Sequence, residues 1–333
     1  MNILVIGGSG LLGRKTVLHL VRDNEIARVV SMDVVPPKEW IIKSMGEEAA
    51  KFQFQRGDVS QLEDILSVIK LYAIDKLINL AFLLPGAVEA NPRLSVKVNE
   101  LGMCNAFEAA RLMGINRVVY MSSEGVYGPQ EEYGDRPVTE DDPVHPQSAY
   151  AIAKQLAEML AERYAGLYGL SLTALRAPVI WGHGGLAPNV IKWFSDIVSL
   201  PAAGKPFSVD NDGTGRHSLA PVDDCAEFIK ILIKVPSSPH AVYNIGGPPT
   251  SLRDVAAVVR RYIPDIEIRF GHQAESIDAA KGGLPWKLSM ARAEEDYGFS
   301  CMPIDEAVGQ HINDARLEAG LPQVKTTIVQ EGT

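Results

Sequence analysis

The chain has 333 residues, with 32 Lys plus Arg against 41 Asp plus Glu and a formal net charge of −9. An apolar fraction of 46% with 22% charged residues belongs to a folded chain and excludes the low-hydrophobicity, high-charge composition of disordered segments. Without a long Lys/Arg cluster, an acidic chain has no electrostatic footprint for phosphate backbones or anionic lipid, so nucleic-acid and membrane partners are not expected.

Short apolar runs alternate with segments of helical periodicity from the start. The first run, residues 2–6, lacks a basic flank and leads at once into GGSG, so it reads as a buried strand and not as a signal peptide. Helix 10–23, strand 28–32, strand 52–56, helix 62–72, strand 76–80, helix 93–113, strand 117–121, helix 149–168 and strand 172–175 follow. This alternation predicts an α/β fold of Rossmann-like, doubly wound type, a parallel sheet covered by helices on both faces. Past Trp181, the Gly- and Pro-containing stretches 182–188, 201–206 and 211–215 break the rhythm, although helix 222–234 and strand 243–245 still read as sheet components. The expected division is a nucleotide-binding domain of residues 1–180, with 216–246 returning to it, and a smaller C-terminal substrate-binding lobe of 181–215 and 247–325.

Three separated cysteines, Cys104, Cys225 and Cys301, fit neither a disulfide framework nor a zinc site. No apolar run reaches the roughly 18–20 residues of a membrane span. A soluble, cytoplasmic protein is the expectation. The seven histidines show no metal-ligand spacing and are expected on surfaces or loops. The acidic run 131–142 reads as a solvated loop.

The turn after the first strand carries Gly7, Gly8, Gly10 and Gly13. Glycines there permit a tight turn, let a pyrophosphate approach the N-terminus of the next helix, and allow that helix to pack on the strand. Asp33 ends the second strand, about where a carboxylate accepts from the ribose 2′-OH of NAD and repels the 2′-phosphate of NADP. NAD is therefore the expected cofactor. Arg14, read as an exposed first-turn residue, is the one cation that keeps NADP open.

Further on, strand 117–121 runs into Ser122-Ser123-Glu124-Gly125-Val126-Tyr127-Gly128, and a helix then carries Tyr150 and Lys154. That spacing stacks the phenol and the amine on one helical face. An ammonium beside a phenol lowers its pKa, and a nearby serine hydroxyl can hydrogen-bond a reacting oxygen, so the three residue types together can move a proton.

In this order the motifs resemble the extended short-chain dehydrogenase/reductases, the NAD-dependent epimerase/dehydratase group. The matching residues are Gly7, Gly10 and Gly13, Asp33, Gly57–Val59, Asn79–Ala81, Asn99, Ser122–Gly128 and Tyr150–Lys154. The resemblance implies Tyr150 as acid/base, Lys154 on the nicotinamide ribose, and Ser123 as the catalytic serine, with Ser122 left to strand-end packing. It places Leu11 and Leu12 at the turn, Asp58 and Val59 around the adenine, Leu80, Ala81, Phe82 and Pro178 along the cofactor, and Asn99 near the nicotinamide. Substrate contacts are expected from Leu84, Glu124, Gly125, Val179, His183, Arg216 and His217. It also implies a homodimer through helices 93–113 and 149–168.

Sugar-nucleotide members of this group carry an Asn where this chain has Val179, and an Arg in the column of His217, with Arg216 one place early. A valine cannot donate to a phosphate. The segment 82–86, FLLPG, is also apolar. The reading favours hydride transfer to or from a hydroxyl or keto carbon of a small-molecule substrate, with NAD exchanged each turnover. Two alternatives stand beside it: a nucleotide-sugar epimerase or dehydratase that retains its NAD, and a non-catalytic NAD-binding sensor.

Overall fold

Strands rich in Val, Ile and Leu are stable only when both faces are covered, and helices bracket nearly every strand of this chain. The computed structural model describes residues 1–184, 190–274 and 283–326. In chain order the elements are β1 (Asn2–Ile6), α1 (Leu11–Val21), β2 (Arg28–Asp33), α2 (Glu39–Ser44), β3 (Phe52–Arg56), α3 (Leu62–Tyr72), β4 (Lys76–Asn79), α4 (Pro85–Ala90), α5 (Pro92–Ser95) and α6 (Gly102–Leu112). They continue as β5 (Arg117–Ser123), α7 (Ala149–Tyr168), β6 (Ser171–Ala177), β7 (Val179–Trp181), α8 (Val190–Ala202), β8 (Phe207–Asn211), β9 (Leu219–Pro221) and α9 (Val222–Lys234). The last are β10 (Val242–Asn244), α10 (Leu252–Tyr262), β11 (Ile268–Gln273), α11 (Ala291–Tyr297) and α12 (Ile304–Ala319).

A seven-stranded sheet runs β10-β6-β5-β4-β1-β2-β3 with every pair parallel. This is the expected doubly wound α/β fold. Its chain order reverses between β1 and β4, which opens a crevice beyond their carboxyl ends. One face packs α1 and α9 around Val5, Val17 and Phe228; the other packs α3, α6 and α7 around Ile65, Phe107 and Ala157. A separate core joins α8, α10 and α12 to β7 and β9 through Val179, Trp181, Phe194, Val259 and Ile312. No helix among the described residues is long and apolar enough to cross a membrane.

Two elements differ from the expectation in ways that matter. The helix expected over 93–113 is interrupted: α5 is capped by the Asn91 side chain, and residues Val96–Leu101 form a π-helical turn before α6 begins. Such turns leave helical hydrogen bonds out of step and often mark functional sites. Strand β5 extends two residues further than its apolar run and takes in Ser122 and Ser123. The acidic segment is exposed at most of its positions, as expected of a solvated loop, but it is also anchored to the protein. Val138 and Tyr133 are buried, Tyr133 donates to the Tyr127 and Pro143 carbonyls, and Arg136 forks onto Asp142. Part of the stretch 182–188, and the tail beyond 326, lie outside the described residues.

Charge also joins the helices across the cores. Lys15 on α1, almost fully buried, reaches Asp223 on α9 at 3.0 Å and Asp314 on α12 at 2.5 Å, while His19 bonds Asp223 and Glu227. Burial opposes ionisation of Asp223, but His19 and Lys15 outweigh it and hold the carboxyl down to about 2. A carboxylate depressed this way stabilises the fold above its ordinary titration range and loses that contribution as pH falls toward 2. Lys15→Met leaves the half-buried Asp314 without its cation and Asp223 with His19 alone. Urea melts at pH 7 should show a loss of about 3–5 kcal/mol, and the deficit should shrink below pH 4; a deficit independent of pH would exclude this pairing as its source.

Candidate active site

The crevice begins at the glycine turn. Gly7 has φ +80°, and a Cβ there would stand 2.6 Å from the Ala81 backbone nitrogen, so the turns after β1 and β4 touch through bare backbone. A Cβ on Gly13 would lie 2.1 Å from the Gly7 carbonyl oxygen, whereas one on Gly10 meets only that oxygen at 3.5 Å. Gly7 and Gly13 shape the turn, and Gly10 leaves open the N-terminus of α1, where backbone N–H groups can hold a pyrophosphate. Leu11 and Leu12 follow in the first helical turn. Asp33 accepts from the Ser9 amide at 3.0 Å and the Val35 amide at 3.2 Å. These residues fit a dinucleotide.

Arg14 is buried rather than exposed. Its guanidinium donates to the His183 carbonyl and lies 5.4 Å from the Trp40 ring centroid, so the cation that kept NADP open is committed elsewhere. Asp58 caps its own turn by accepting from the Ser60 amide, and Val59 packs under Gly102. The Leu80 and Ala81 backbones are fixed by Ile6 and Asn79. Pro178 is buried where β6 gives way to β7.

Next to this crevice, α7 starts with the Ser148 hydroxyl accepting from the Ala151 amide and lays Ala153, Ala157 and Ala161 against the sheet. That phase turns Tyr150 and Lys154 toward the end of β5. Ser123 lies close enough to Tyr150 to favour its phenolate, and Lys154 Nζ donates to the Met121 carbonyl at 2.7 Å. The Phe82 ring lies 3.4 Å from Lys154 Nζ and edge-on to Tyr150 at 5.5 Å. Burial pulls Lys154 down to about 7 and pushes Tyr150 up to about 12 against the opposing influence of Ser123. The lowering of Tyr150 expected from Lys154 is therefore absent, because the amine is spent on Met121 and Phe82 and is itself drawn toward neutrality.

Glu124 is almost fully buried, and burial pushes its carboxyl well above the usual range; one of its oxygens has no hydrogen-bond partner. Gly125 donates to Ser123 Oγ at 3.1 Å and faces Leu284. Asn99, in the π-helical turn, accepts from the Leu83 amide at 2.7 Å and donates to its carbonyl. It holds the segment after β4.

Sequence reasoning missed the residues behind the pair. Ser122 is not mere packing: its hydroxyl donates to Glu158 on α7. Arg176 on β6 forks onto the same carboxylate at 2.9 and 2.7 Å. The available signal was the spacing, since Glu158 follows Lys154 by the same four residues that separate Lys154 from Tyr150.

A family model, the NAD dependent epimerase/dehydratase family, matches residues 3–246. The chain belongs to this family. NAD is its cofactor, and its members are enzymes of oxidoreduction or epimerisation. Protein CapI from Staphylococcus aureus is 27% identical over 86% of this chain and 89% of its own length. The UDP-glucose 4-epimerase of Mycolicibacterium smegmatis is 28% identical over 78% of this chain and 82% of its own. Among solved structures, the GalE-like L-threonine dehydrogenase from Cupriavidus necator in its holo form superposes with a TM-score of 0.80 at 21% identity, over 94% of this chain and 99% of that one.

Within this family member, the expected substrate residues are scattered. Leu84 precedes α4 and Gly125 lies beside Ser123, but Val179 is buried in the core of α8, α10 and α12. His217 is buried edge-on to Phe194, and its backbone pairs with Thr250. His183 bonds Ser199 and Glu318, not Ser123, Tyr150 or Lys154. Arg216 is exposed near Asp135. His311, expected on a surface, is buried in α12. Among the described residues no cluster could hold a metal.

The glycine geometry separates two kinds of failure. Gly13→Ala should lower both the melting temperature and NAD affinity, while Gly10→Ala should keep the melting temperature within about 2 °C and lose NAD affinity alone. Equal losses of stability in the two variants, read by thermal melts beside NAD titrations, would refute the assignment.

Proposed function

We propose that this chain oxidises or reduces a small hydroxyl- or keto-bearing substrate and exchanges its NAD in each turnover. Tyr150 exchanges the proton of the reacting oxygen, Ser123 hydrogen-bonds that oxygen, and Lys154 holds the nicotinamide ribose. NAD supplies the hydride acceptor or donor. Leu84, Glu124, Gly125 and Leu284 border the substrate, and residues 181–215 and 247–325 form the lobe that closes over it. Asp33 selects NAD over NADP, since its carboxylate sits where a 2′-phosphate would.

The observation that carries this reading is the burial of Val179 and His217. Where a diphosphate would need an amide and a guanidinium, one side chain belongs to an apolar core and the other packs behind Phe194. The similarity to a UDP-glucose 4-epimerase supports a second reading, epimerisation of a nucleotide sugar with NAD retained.

Heating the purified protein and assaying the supernatant separates the two. The first reading expects little retained nucleotide and NADH formation with one of a panel of small alcohols and hydroxy acids, L-threonine included. Stoichiometric retained NAD, with UDP-glucose turned over and no NADH from any alcohol, would overturn it. Tyr150→Phe should cut turnover by about 100- to 10,000-fold and leave NAD affinity unchanged; full activity would refute the acid/base role.

A homodimer is part of this proposal. Leu101 beside α6, and Ile152, Leu156 and Met159 on α7, form an exposed apolar set on adjacent helices. Met159→Glu should turn a dimer into a monomer in sedimentation at micromolar concentration, and a wild-type monomer there would rule the dimer out.

A further inference from the structure

Tyr150, Lys154 and Glu158 lie on one face of α7 at successive turns, and three consecutive residues of β5 meet them. The Met121 carbonyl accepts from Lys154, the Ser122 hydroxyl donates to Glu158, and Ser123 stands beside Tyr150. Arg176 stands directly across the sheet from Ser122 and forks onto Glu158. Its remaining nitrogen donates to the Tyr127 hydroxyl at 2.8 Å, which donates on to Asn244. Arg176 and Glu158 are both largely buried, with side chains 7% and 12% exposed. Desolvation makes a buried ion pair a poor stabiliser compared with apolar residues of the same volume. Its position beside a buried amine calls for a different role.

The groups around Lys154 narrow that role. From α7 come Tyr150 and Glu158, and from the turn after β4 comes Phe82; Ser123 and Glu124 act on Tyr150, and Tyr120 and Arg176 face Glu158. Burial keeps Tyr120, Tyr150 and Glu124 neutral. Glu158 and Arg176 are the charges left, and Glu158 is the one that favours the ammonium.

We propose that Glu158 and Arg176 are positioning residues for the Tyr150–Lys154 pair: Glu158 keeps the Lys154 amine charged, Ser122 locks that carboxylate to the strand carrying Ser123, and Arg176 limits how strongly Lys154 feels it. The proposal rests on the reading that Lys154 holds the cofactor ribose. It concerns protonation at one atom, Lys154 Nζ, and makes no bond.

The test is the pH dependence of NAD affinity from pH 6 to 10, measured by calorimetry on the full chain. NAD is anionic, so affinity falls as Lys154 loses its charge. Glu158→Gln should move the midpoint of that fall down by about one pH unit, and Arg176→Gln should move it up by about as much. Glu158→Asp, which keeps the charge, should restore the wild-type midpoint. Circular dichroism reports folding, and because the two shifts have opposite signs, either variant carries the test if the other fails to fold. An unmoved midpoint with uniformly weaker binding would reduce the pair to a structural role and overturn the proposal. A wild-type profile that Lys154→Met leaves unchanged would instead overturn the reading of Lys154 and the proposal with it.

Discussion

Helix α7 is held to β5 by a strand end that offers a carbonyl and two hydroxyls in sequence. Most of the site depends on that contact. It fixes the rotation of α7, which brings the phenol and the amine to the same crevice that the glycine turn opens from the other side. The alanines beneath α7 let the helix approach closely enough for the short Ser122 and Ser123 side chains to reach it. A bulkier residue at Ala153 or Ala157 would lift the helix off the strand and separate the three pairs together.

The fold was largely legible from sequence because its signals are local. Val- and Ile-rich runs, a glycine turn and an Ala-rich helix closed by Gly169 each declare themselves within a few residues. The bounds of α7 and α9 coincide with the apolar periodicity. What the sequence did not carry was any contact whose partners are far apart along the chain. The π-helical turn around Asn99 arises because the Asn99 side chain bonds the Leu83 backbone, and periodicity alone reads a continuous helix there. Arg14 looks like a solvent-facing residue until the carbonyl of His183, 169 positions later, closes over it.

The same distinction applies to the site. Tyr150, Lys154 and Ser123 could be named from spacing, but the ionisation of Tyr150 and Lys154 could not, since burial decides it. Glu158 and Arg176 lie outside the motif and are joined only when β5 and β6 pair. On the substrate side, Val179 and His217 were read as facing a ligand because of their columns. Val179 turns inward where β7 pairs with β9 beside the C-terminal helices, and His217 is buried against Phe194 at its bridge with Thr250.

Asp33 has a double attachment with a practical consequence. Both of its carboxylate oxygens accept backbone amides, one from the glycine turn itself. The residue proposed to discriminate between dinucleotides is thus also a brace for the glycine turn. Redesigning the chain to accept NADP by replacing this acid with a small neutral residue would slacken the turn as it removed the repulsion. A successful cofactor exchange here would need a second substitution that gives the Ser9 amide a new acceptor.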